Sequence, residues 1–97
     1  MAKAEKIEVE NIVSPGSRQR VDARKYHAMR EAMLAVLPSS APGMTVADVK
    51  AALLPSLPDE LFPGGDKAGW WVKCVQLDLE AKGIVKRSTK PVRLYRA

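Results

Sequence analysis

Residues 67–97 carry an apolar helical stretch, a glycine stop and a basic strand pair, in an order that few folds accommodate. The stretch Trp70-Trp71-Val72-Lys73-Cys74-Val75-Gln76-Leu77-Asp78-Leu79 has apolar residues at helical spacings. It runs into Glu80-Ala81-Lys82-Gly83, where the glycine can supply the left-handed residue that ends a helix. Asp66 is placed to cap the start. The pattern predicts a helix as far as Lys82, then strands over 84–87 and 92–96 around the tip Ser88-Thr89-Lys90-Pro91. Alternate strand residues occupy opposite faces, so Val92 and Leu94 are expected inward and Arg93 and Tyr95 outward.

Upstream, Asp22 suits a helix N-cap, and Tyr26, Met29, Met33, Val36 and Leu37 recur at spacings of three and four, which predicts an amphipathic helix over 23–37 stopped by Pro38. Thr45 followed by Asp48 resembles a capping box at the head of a second helix, with Val46, Val49, Ala52 and Leu53 on its buried face. Residues 55–66 are too rich in Pro and Gly for a regular element beyond one turn around Asp59-Glu60-Leu61. That is long beside the turn of about three to four residues in a plain helix-turn-helix. Residues 1–14 read as an arm, either an edge strand or a mobile tail, and 15–97 as one domain. The expected class is α+β: a three-helix core, a C-terminal two-stranded hairpin and room for a short N-terminal strand.

With the elements in that order, residues 22–97 resemble the winged helix-turn-helix class. Leu79-Glu80-Ala81-Lys82-Gly83 followed by Ile84-Val85 and a basic strand carries the likeness. The chain also resembles a group of short bacterial proteins of unassigned function that share the segment Pro63-Gly64-Gly65-Asp66-Lys67-Ala68-Gly69-Trp70-Trp71. The first resemblance implies a wing and a third helix that meets DNA, and a transcription regulator as the setting. The second implies a fold and no task.

The charge of +5 is unevenly placed. Residues 67–97 hold Lys67, Lys73, Lys82, Lys86, Arg87, Lys90, Arg93 and Arg96 against Asp78 and Glu80, an asymmetry expected of a surface that meets a polyanion. Lys67, Lys73, Gln76, Lys86, Arg87, Lys90 and Arg93 are the candidate nucleic-acid contacts, with double-stranded DNA the expected partner. Projected at about 100 degrees per residue, the third helix has one apolar stripe of Val72, Val75 and Leu79 and another of Trp70, Cys74, Leu77 and Ala81. Its polar face is left with Lys73, Gln76 and Glu80. Carboxylates on a groove-reading helix oppose phosphates, so Asp78 and Glu80 count against base readout. The competing reading is a protein-interaction or homodimerisation module, with Trp70, Trp71 and Leu77 as candidate interface residues. The N-terminal arm is an alternative cover for the second stripe, and core filling an alternative role for the tryptophans.

No enzyme, metal site or cofactor is expected. A lone Cys74 inside an apolar helix reads as a small core residue, and His27 beside Arg24, Lys25 and Arg30 as a surface or packing residue. Zinc takes about four ligands, and no cluster here has the spacing. Without an apolar run of roughly 20 residues, or the apolar stretch of a signal peptide, the chain is expected to be cytoplasmic and off the membrane.

Overall fold

A computed structural model describes residues 5–13, 16, 19–65, 67–88 and 92–97. It is α+β, with three helices and two small antiparallel sheets. The first sheet is a ribbon of β1, Lys6–Val9, and β2, Gln19–Asp22, in which Ile7 sits opposite Val21 and Glu8 opposite Arg20. Sequence pattern gave no strand at 19–22, because polar Gln19 and Arg20 leave Val21 as its one apolar residue. β2 exists because its partner strand buries Val9 beside Val21.

Helix α1, Ala23–Val36, begins where predicted: the Asp22 carboxylate accepts the Lys25 amide at 3.1 Å. Tyr26, Met29 and Met33 enter the core, as does Leu37 just past the helix end. A two-residue strand, β3, Met44–Thr45, then leads into α2, Val46–Leu53, whose first turn is capped by Thr45 Oγ1 accepting the Asp48 amide at 3.2 Å. Thr45→Ala should therefore cost about 1 kcal/mol in urea unfolding. Val49 and Leu53 are buried and Val46 is half-buried, but Ala52, expected on the same face, is exposed. The connection to α3 holds two single-turn 3-10 helices, Leu54–Ser56 and Pro63–Gly65, and sends Phe62 into the core.

Helix α3, Ala68–Ala81, has Lys67 at its N-cap position in the left-handed region, with no side-chain cap bond; the expected cap, Asp66, lies outside the described residues. Its C-terminus is locally encoded as predicted. Gly83 takes φ 76, its amide donates to Glu80 O at 3.1 Å, and the Ile84 amide donates to Leu79 O at 2.9 Å. This is the paired closure that lets a glycine end a helix.

The second sheet has the order β3-β5-β4, from β4, Val85–Ser88, and β5, Arg93–Arg96. Val85, Arg87, Leu94 and Arg96 share its inner face, and Lys86, Ser88, Arg93 and Tyr95 its outer one, as the pairings Lys86 opposite Tyr95 and Arg87 opposite Leu94 require. Val92 is not inward: it precedes β5 and is 38% exposed. The sheet is tied to the loop after α1 by the Arg96 amide donating to Pro38 O at 2.8 Å and Ser88 Oγ donating to Pro42 O at 2.7 Å. Among the described residues, no helix is long and apolar enough to cross a membrane.

Candidate functional site

Tertiary contacts decide which side of α3 meets solvent. Val72, Val75 and Leu79 enter the core. The polar line beside them is also buried. Gln76 and Glu80 are each 5% exposed, and Gln76 Nε2 donates to Glu80 Oε2 at 3.0 Å. Arg87 closes on the same carboxylate, Nη2 donating to Oε2 at 2.8 Å and Nε to Oε1. The strand that buries Val85 necessarily aims Arg87 at the helix, and a two-pronged guanidinium is the donor that best meets a carboxylate taken out of water. That bond raises the Arg87 pKa further above its already high range. Gln76 is thereby turned away from solvent, and Arg87, whose side chain keeps 33% exposure, is bonded to Glu80.

Asp78 is the most enclosed charge among the described residues, at 0% exposure. Its Oδ1 accepts the Glu10 amide at 2.9 Å, and its Oδ2 accepts from the Tyr26 hydroxyl and from Lys82 Nζ, the latter at 2.9 Å. One carboxylate thus joins the ribbon, α1 and the end of α3. Burial, and then the bond to Asp78, push the Tyr26 hydroxyl well above the usual phenol range.

The remaining cations are placed as follows. Lys67, Lys73 and Lys86 are exposed and enter no ion pair among the described residues. Arg93 is half-buried on the outer sheet face, its Nε shielded and without a hydrogen-bond partner. Lys90 lies outside the described residues. Sequence reading missed Lys50. From the last turn of α2 it reaches the start of α3, so close to Gly69 that a Cβ there would lie 3.4 Å from Lys50 Nζ. The glycine is visible in the sequence, but its facing α2 is not, because the irregular connection hides the angle between the helices. On α1, Arg24 pairs with Glu60 of the connection at 3.7 Å, and His27 is exposed, edge-on to Tyr26.

The two tryptophans part company. Trp71 is buried, edge-on to Phe62, which makes it a core residue instead of an interface candidate. Trp70 is 51% exposed. With Lys73, Cys74 and Leu77 it forms one wall of a groove of about 320 Å³, whose other wall is the ribbon, through Val9, Glu10 and Gln19. Cys74 is half-buried there, and desolvation, with the Asp78 charge adding, pushes its thiol up to about 11. Since the thiolate is the reactive form, iodoacetamide at pH 7 should label the folded chain about a hundredfold more slowly than the urea-unfolded one. A similar labelling rate in both states would show the thiol to be free. No group of three or more His, Cys, Asp and Glu that could hold a metal occurs among the described residues.

Residues 6–94 match the model of a family of unknown function, DUF6958, and the chain belongs to that family. No curated protein and no solved structure matches it.

Proposed function

We propose that the chain is a winged-helix module that holds a polyanion, in the first place double-stranded DNA, through phosphate contacts instead of base readout. The arrangement of α1, α2 and α3 followed by the β4–β5 hairpin supports the winged-helix reading, with β3 extending the hairpin into a sheet. One observation carries the polyanion reading. Both carboxylates of residues 67–97 are buried, and each has a cation of the same segment on it, Lys82 on Asp78 and Arg87 on Glu80. The described surface of this segment therefore presents cations and no side-chain carboxylate. Lys50, brought to Gly69 by α2, adds a cation near Lys67 and Lys73.

Base reading has no support from α3. Its solvent-facing stripe is Trp70, Lys73, Cys74, Leu77 and Ala81, which offers one charged donor. Binding should accordingly be indifferent to sequence and sensitive to salt. If Lys50, Lys67, Lys73 and Lys86 neutralise about four phosphates, the logarithm of affinity should fall with the logarithm of salt at a slope of about −3.6, and Lys73→Ala or Lys50→Ala should each reduce the slope by about 0.9. Fluorescence anisotropy with mixed-sequence duplexes at low and moderate salt measures this. No binding at low salt, or a flat salt response, overturns the proposal.

A further inference from the structure

The outer face of the β3-β5-β4 sheet presents Thr45, Lys86, Ser88, Arg93 and Tyr95, with no acidic residue at its strand positions. Arg93 in the central strand lies between Thr45 and Ser88, and Tyr95, two residues on, lies beside Lys86. Two groups on this face find no partner in the fold. The Arg93 Nε is shielded from water and bonded to nothing, and its guanidinium enters no ion pair among the described residues. A shielded donor left unbonded costs free energy until an acceptor reaches it. The Tyr95 ring is half-buried, and among the described residues no aromatic ring or cation lies against it.

We propose that this sheet face binds single-stranded nucleic acid, an unpaired base stacking on Tyr95 while its phosphate takes the Arg93 guanidinium. Residues two apart on one face of a strand stand about 7 Å from each other, the reach from a nucleotide's phosphate to its own base. Arg93 is half-buried, so an oxyanion arriving from solvent meets its guanidinium and supplies the acceptor that the fold lacks. Lys86, exposed beside Tyr95, draws the neighbouring phosphate. Stacking needs only a π face, and attraction to phosphate only charge, so the strand is held without regard to its sequence. A duplex keeps its bases paired and stacked inside and has none to offer Tyr95. The sheet face therefore acts independently of any duplex contact made by Lys50, Lys67 and Lys73.

Fluorescence anisotropy of the full chain at low salt tests this, with fluorescein-labelled oligothymidylate and oligouridylate of about twelve nucleotides and a mixed-sequence duplex alongside. Both strands are expected to bind, and comparing them tells DNA from RNA. Tyr95→Leu keeps an apolar side chain of similar bulk but removes the π face; it should weaken strand binding about tenfold and leave duplex binding unchanged. Tyr95→Phe keeps the π face and should stay within about twofold of wild type. Arg93→Gln should reduce the slope of log affinity against log salt by about 0.7, the share of one phosphate on a single strand. Failure of both oligonucleotides to bind, strand affinity unchanged by Tyr95→Leu, equal losses of strand and duplex affinity in that variant, or a Tyr95→Phe chain as weak as Tyr95→Leu overturns the proposal. A chain that binds strands and no duplex would sink the duplex reading and support this one.

Discussion

Replacing Asp78 by alanine should lower the unfolding free energy by about 3 to 5 kcal/mol, because it strands donors inside the fold instead of removing a surface charge. The carboxylate is fully buried and takes the Glu10 amide, the Tyr26 hydroxyl and Lys82 Nζ. For a domain of this size the loss corresponds to a melting temperature roughly 15 to 30 °C lower. Native-state stabilities run to about 5–15 kcal/mol, so the variant sits near the edge of folding. Two milder changes apportion the effect. Asp78→Asn keeps one acceptor oxygen, enough for the Glu10 amide, and turns an NH2 group toward the Tyr26 hydroxyl and Lys82 Nζ while giving up the charge, and Tyr26→Phe removes one donor and leaves two; each should cost about 1–3 kcal/mol. Urea titration followed by far-ultraviolet circular dichroism measures all three. An Asp78→Ala cost below about 1 kcal/mol would mean that the carboxylate is not the tie between ribbon and helices.

Gly43→Ala is the second large effect, and its cause is backbone. Gly43 takes φ 88 immediately before β3, and a Cβ there would lie 2.2 Å from the Leu94 carbonyl oxygen and 2.6 Å from its carbon. Neither atom can move without breaking the pairing of Met44 with Leu94 that attaches β3 to the sheet. Left-handed strain and the clash together should cost about 3 kcal/mol. Gly16, also at positive φ but with open space where a Cβ would sit, is the control: its alanine variant carries the conformational strain without the collision and should lose about 1–2 kcal/mol. Equal losses at the two positions would show that close approach to Leu94 is unimportant.

Both effects lie where sequence reading was weakest. In the sequence Asp78 is only one of two carboxylates that count against base readout. Two of its three partners, Tyr26 and Glu10, are 52 and 68 residues away along the chain, and nothing local signals them. β3 went unseen because two residues carry no periodicity; it is a strand only because β5 lies beside it. The phase of α3 was undetermined for a related reason. Three lines of residues ran along the helix, and burial of the polar one needed Arg87 on Glu80, which depends on how a strand later in the chain docks.

What sequence alone determined is the set of elements whose causes lie within one turn: Asp22 and Thr45 each capping an amide three residues on, Gly83 ending α3, and the alternation that puts Leu94 in and Tyr95 out. It also determined the excess of cations after residue 67. Tertiary structure decided which of those cations face solvent, which tryptophan is core, and which stripe of α3 is left open beside the ribbon. The division follows from range. Caps and strand alternation are interactions between near neighbours, whereas the burial of a charge or the exposure of a helix face is a property of whatever packs against it.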